Sequence, residues 1–222
     1  MTSAVSILPH SDEKNKGLIA FFYLFERFQT PYTPPKEDAM FSREEAETLL
    51  RKYNPNEALI YHAYCVEETM RRFSEKYGYD PEYWSLVGLL HDIDWGMFPE
   101  EHCKKAPELL QKIGADDQFI RSVCSHGWGI CSDIEPEHFM EKVLYTIDEL
   151  TGLIYATALM RPQKMEGMSV KSVKKKWSSK AFAAGVNREI IEKGAAGLGL
   201  ELSHIIQLTI DAMADHSEKI GL

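Results

Sequence analysis

His62, the adjacent His91 and Asp92, and Asp148 are the residues of this chain whose types and order could do chemistry. Imidazole nitrogen and carboxylate oxygen together form a mixed donor set that suits Fe, Mn, Zn and similar divalent ions. Two nitrogens and two carboxylates leave coordination positions open for water and a substrate. Taken singly, a histidine on an apolar helix face is more often a core residue with a satisfied hydrogen bond. A buried aspartate is harder to place, because a carboxylate out of water needs a partner that holds its charge. Asp148 beside inward-facing imidazoles finds that partner in a metal ion.

The elements that must bring these positions together read as helices. Ser42 and Glu45 have capping-box spacing and open a helix to about Lys52. Asn54-Pro55 reads as the cap and first position of the next helix, which Gly78 ends. Leu59, His62, Val66, Met70, Phe73 and Tyr77 recur along it at steps of three and four, so His62 is expected on the buried face. Asp80-Pro81 repeats the start signal, with Trp84, Val87, Gly88 and His91 on one side. A loop carrying His102 follows, then short helices over 107–113 and from the Asp116 cap, the latter leading to His126 before a Gly127-Trp128-Gly129 turn. Glu135-Pro136 is expected to open a long helix to about Met160, with Leu144, Ile147, Asp148, Thr151 and Ile154 inward. Further helices are expected at 169–177, 187–197 and 202–219. A buried helix over 18–28, broken by the prolines of 30–35, gives an N-terminal extension (1–45) packed on a helical domain (46–222). No alternating β-branched run appears, and the expected class is all-α.

Composition bounds the function. The 222 residues carry 34 acidic and 25 basic side chains, a formal charge of −9, which argues against nucleic acid or an anionic membrane as principal partner. Apolar residues at 44% suffice for one sizeable core. The apolar run 17–25 is too short to span a bilayer and lacks a small-residue cleavage site after it, so the chain reads as cytoplasmic. Cys65, Cys103, Cys124 and Cys131 form no C-x-x-C pair and read as reduced apolar fillers, with Cys124 and Cys131 as a minor metal-ligand option. Lys171, Lys174, Lys175, Lys176, Lys180 and Arg188 form the one concentrated positive stretch. They are either a solvated face or, with Arg161, a clamp for an anionic substrate. No Gly-rich phosphate loop, dinucleotide fingerprint or nucleophile elbow occurs.

The order His62, His91-Asp92, Asp148 on helices resembles the HD-domain superfamily of metal-dependent phosphohydrolases, over a core of about residues 55–155. The runs at 146–162, 170–177 and 182–191 look like those of a bacterial subgroup of HD hydrolases. The resemblance implies an HD-like helical bundle with its metal site in the core and extra C-terminal helices. It implies one or two divalent ions (Mn, Fe, Co, Ni, Zn or Mg), the first on His62, His91, Asp92 and Asp148. In some members a second ion is bridged by the aspartate of the pair, here Asp92; His102 and His126 would be its ligands or donors facing a phosphate. A small phosphorylated molecule, possibly a nucleotide, is the implied substrate, with Asp148 or Asp94 orienting the attacking water and His126 protonating the leaving oxygen. Arg161, Lys171, Lys175 and Arg188 are the candidate phosphate contacts. The chain departs from the family where many members read HDIG followed by lysine: here Asp94 and Trp95 stand instead, so phosphate contacts must come from elsewhere, and Asp94 either bonds a ligand or metal-bound water or caps the loop. Two other readings share the pocket: a two-iron oxygenase, and a metabolite-binding module without turnover. A homo-oligomer is compatible with either.

Overall fold

The computed structural model describes residues 41–179 and 181–222. All belong to a compact unit running from Pro35 to Leu222. The expected N-terminal helix over 18–28 and the proline break after it lie outside the described residues. The all-α class holds: the described residues form nine α-helices, two 3-10 turns and no strand.

The first helices start where local chemistry satisfies their free N–H groups. Helix α1 (Arg43–Tyr53) opens on a reciprocal capping box, with Glu45 N–H donating to Ser42 Oγ and Ser42 N–H donating to Glu45 Oε2. Helix α2 (Glu57–Tyr77) is capped by Asn56, whose Oδ1 accepts from Ala58 N–H at 3.0 Å, and ends at Gly78 in the left-handed region. The expected cap, Asn54, has another task. It is buried, donates to Ile93 O at 3.1 Å, and accepts from Gly96 N–H at 2.9 Å. It thereby ties the end of α1 to the turn that carries Asp92 and Asp94. A Cβ on Gly96 would lie 2.7 Å from both Asn54 Oδ1 and Tyr53 O, so only glycine allows that approach.

Helix α3 (Pro81–Leu90) returns along α2 after a short link, with Asp80 Oδ1 accepting from the N–H groups of Glu82 and Tyr83. At their crossing the bare Cα of Gly88 faces backbone, since a Cβ there would sit 3.0 Å from Val66 O and 3.1 Å from Glu67 Cα. That closeness sets how far apart His62 and His91 stand. After α3 come a 3-10 turn (Pro99–Glu101), α4 (Ala106–Gln111), α5 (Asp117–Cys124) and a second 3-10 turn (Ser125–Gly127).

Helix α6 (Phe139–Leu159) begins later than Glu135-Pro136 suggested. Buried Glu141 accepts from the N–H groups of Glu137 and His138, which fixes the start at Phe139. Helices α7 (Val170–Trp177), α8 (Arg188–Leu198) and α9 (Leu202–Asp215) follow. α8 packs closely on α6 through Gly194, whose missing Cβ would collide with Thr146. Val66, Met70, Phe73, Leu89, Leu90, Leu144, Ile147 and Ile154 are completely buried where α2, α3 and α6 meet. Each such side chain contributes about 1.5–3 kcal/mol over its exposed state. The rigid block so formed holds the histidines and aspartates at one end.

Candidate metal centre

Four of the expected ligands converge. His62 extends from α2, His91 stands at the C-terminal end of α3, Asp92 follows it, and Asp148 comes from the middle of α6. His62 Nε2 lies 3.1 Å from His91 Nε2, 3.0 Å from Asp148 Oδ1 and 3.7 Å from Asp92 Oδ2. His91 Nε2 lies 3.5 Å from Asp92 Oδ2 and 3.4 Å from Asp148 Oδ1. A second cluster adjoins the first. Asp92 turns its other oxygen, Oδ1, towards His102 Nε2 at 3.5 Å and His126 Nε2 at 3.4 Å, and those two nitrogens are 3.1 Å apart. The aspartate thus offers one oxygen to each half.

The far side of three rings determines what their near side can do. His91 Nδ1–H donates to Gly88 O at 2.8 Å and His126 Nδ1–H to Val123 O at 2.6 Å. His102 Nδ1–H donates to Asp94 Oδ1 at 2.7 Å. A carbonyl or carboxylate only accepts, so Nδ1 carries the hydrogen and Nε2 of each neutral ring presents a lone pair. Lone pairs and carboxylate oxygens crowded at such distances are satisfied by a proton or a metal cation between them. A divalent ion bonded to N and O donors at about 2.0–2.2 Å keeps neighbouring donors roughly 3.0–3.5 Å apart, close to what both clusters display. The donor chemistry therefore fits one divalent ion in each half, with Asp92 between them.

Without such an ion, protons take the same positions. Burial opposes charging His62, yet hydrogen bonding to Asp148 and the charges of Asp148 and Asp92 prevail and raise it to about 9. For His102, burial is again outweighed, by hydrogen bonds to Asp94 and Cys131, and it rises to about 10. His126 is also raised, the Asp92 contact overcoming burial. Asp148 and Asp92 are held well below the usual carboxylate range, against burial, by the surrounding imidazoles. The cluster thus stabilises positive charge at the points where lone pairs meet.

Of the two roles expected for Asp94, its hydrogen bonds match the loop-capping one. It is fully buried, and both oxygens are engaged, Oδ1 by His102 and Oδ2 by the N–H of Ala106 at 2.8 Å. It aims His102 and caps α4 rather than touching a reacting atom. His126 has Nδ1 bound to the Val123 carbonyl and Nε2 facing Asp92.

Both clusters open into a cleft of about 580 Å³. Leu59, Tyr145, Val186 and Ile190 form its apolar wall, Glu149 and Asn187 add polar atoms, and Trp95 and Ile130 stand exposed at the lining. Burial raises the proton affinity of Glu149, helped by the charge of Asp148 and opposed by the Asn187 N–H that donates to it at 2.9 Å. Arg161, Lys171, Lys175 and Arg188 do not line the cleft. Arg161 donates to the carbonyls of Lys164 and Glu166, and Arg188 to those of Phe182, Ala183 and Val186, so both guanidinium groups hold loops. Lys171 and Lys175 are exposed on α7.

Sequence reasoning missed Cys103. Its sulfur lies 4.0 Å from His126 Nε2 and 3.1 Å from Cys131 Sγ, whereas Cys124, the expected partner of Cys131, donates to Cys103 O. The signal available was adjacency: Cys103 directly follows His102. Glu149 was equally invisible as a cleft residue, although it directly follows Asp148. Compared with models of protein families, with curated proteins and with solved structures, the chain has no match. No described helix is long and apolar enough to cross a membrane.

Proposed function

We propose that this chain is an HD-type metal-dependent phosphohydrolase acting on a small phosphorylated molecule. One observation carries the reading: Asp92 directs its two oxygens to two separate histidine clusters, the second of them completed by His102 and His126. Divalent ions held there would lower the pKa of a coordinated water towards about 7 and draw charge from phosphoryl oxygens. The chain's own residues do the rest. His62, His91, Asp92 and Asp148 fix one half of the centre; His102 and His126, aimed by Asp94 and Val123 O, fix the other. Asp148 orients the attacking water at the cleft floor. Glu149 gives its proton to the leaving oxygen and is reprotonated by the proton that the attacking water releases, so that water and phosphoester yield phosphate and alcohol. The wall of Leu59, Tyr145, Val186 and Ile190 receives the organic part of the substrate.

The test is turnover of a panel of nucleotides and simple phosphoesters with Mn, Fe, Co and Mg. Activity in the wild type and its loss in Asp92→Ala is the expected result; equal turnover by both overturns the proposal.

A second reading, a two-iron oxygenase on the same ligands, draws support from the cleft lining. Among the described residues no lysine or arginine lines the cleft, which suits a substrate with little negative charge. Bound iron with a mixed-valent spin-resonance signal, and no phosphoester turnover with Mn or Mg, would favour it.

A further inference from the structure

Two sulfur atoms stand against the second half of the centre, and the backbone is shaped to keep them there. Cys103 is buried, and its φ of 62° puts a non-glycine residue in the left-handed region, immediately after a ligand histidine. Such a conformation costs on the order of 1–3 kcal/mol and persists only where surrounding structure imposes it. Here it sends the side chain back towards the centre, with Sγ 4.0 Å from His126 Nε2. His102, Cys103 and His126 each offer one donor atom within 4.8 Å of the others. Across from them, Gly127 leaves open the space the sulfurs occupy: a Cβ there would run into Cys131 Sγ and lie 2.6 Å from Cys103 Sγ. Cys131 Sγ, 3.1 Å from Cys103 Sγ, is a hydrogen-bond partner for it.

We propose that Cys103 supplies a thiolate ligand to the second half-site, beside His102, His126 and the bridging Asp92, so that this half selects a thiophilic ion such as zinc, cobalt or ferrous iron over magnesium or manganese. The inference rests on the two-ion reading above. Hard ions prefer oxygen, and a sulfur donor shifts preference towards borderline and soft ions. Ligation replaces the S–H proton by the ion and releases that proton to water. Cys131 Sγ, 3.1 Å away, hydrogen-bonds the bound sulfur and holds it in position. The two halves then differ: an all-N/O site on His62, His91, Asp92 and Asp148, and a sulfur-bearing site beside it.

The test uses the full chain, stripped with chelator and reloaded with cobalt. Two ions per chain with a near-ultraviolet sulfur-to-cobalt charge-transfer band are expected in the wild type. Cys103→Ser should abolish the band and lower cobalt affinity at one site by at least about tenfold, with manganese affinity changed far less. Cys131→Ser should keep the band. X-ray absorption of the zinc-loaded wild type, which needs no variant to fold, should contain one sulfur scatterer at about 2.3 Å. Two cobalt ions without a band or sulfur scatterer overturn the thiolate assignment and leave the two-ion reading standing. A band that survives Cys103→Ser, or is lost in Cys131→Ser, also overturns it. Failure to bind cobalt at all overturns both.

Discussion

Asp94→Asn is a sharp test of how the second half of the centre is built. The carboxylate accepts from two donors at once, His102 Nδ1–H at 2.7 Å and Ala106 N–H at 2.8 Å, with no exposure to water. An amide has one acceptor oxygen. Whichever way it turns, its NH2 faces one of those two donors, and a buried donor is left without a partner. That costs about 1–3 kcal/mol. For a domain of this size each kcal/mol lowers the melting temperature by about 2–4 °C, so a drop of roughly 2–12 °C is expected. If the amide oxygen stays with Ala106, the His102 ring loses its orienting acceptor. Loss of such a partner weakens metal binding about 10–100-fold, or about 1.4–2.7 kcal/mol. The loss should fall on one ion only, because His62, His91 and Asp148 make no contact with Asp94 among their hydrogen bonds. Titration of the stripped protein with cobalt or zinc against a chromophoric chelator resolves the two steps. Equal affinity at both steps in variant and wild type, with an unchanged melting temperature, would refute the reasoning.

Further outcomes follow from the same geometry. Stripped protein should lose stability as pH rises from about 6.5, the unfolded histidine value, towards 10, because the protons on His62 and His102 are held to about 9 and about 10 only in the folded state; the Cys131 thiol, pushed down to about 5 by its contacts with Cys103 and His102, offsets part of that decline until its own unfolded value near 8.5 is passed. Asp92 and Asp148 are ionised in both states across that window and add no slope; their contribution is lost only on acidification. Urea midpoints across this range should decline without ion and decline far less with saturating zinc or cobalt; a flat profile in the stripped protein would contradict the charge balance described. Gly88→Val should push α2 away from α3, since even a Cβ would lie 3.0 Å from Val66 O. Overpacking of this kind costs about 1–3 kcal/mol; thermal melting and the affinity of the His62–His91 half should both fall, and an unchanged melting point would show that the crossing can open freely.

Helix content and most helix ends were legible in the sequence, because local chemistry decides them. Ser42 with Glu45, Asp80 with Pro81, and Asp116 all sit where their side chains reach nearby N–H groups, and the structure uses them so. Periodicity also put His62 and His91 on inward faces. Where a distant residue competes, local rules failed: Asn54 reads as a cap but is bonded across the turn at Ile93 and Gly96, and the long helix waits for Glu141 to gather its first N–H groups. The site divides the same way. Residue type and order named His62, His91, Asp92 and Asp148 as ligand candidates, and the family resemblance added His102 and His126. Only tertiary packing decided that Asp94 bonds the His102 ring and the Ala106 N–H, and that Cys103 rather than Cys124 meets Cys131. The same packing leaves Arg161 and Arg188 binding loop carbonyls away from the cleft. Donor type belongs to a residue and can be read along the chain. Direction and proximity arise from the α2–α3 and α6–α8 crossings, which no local window contains.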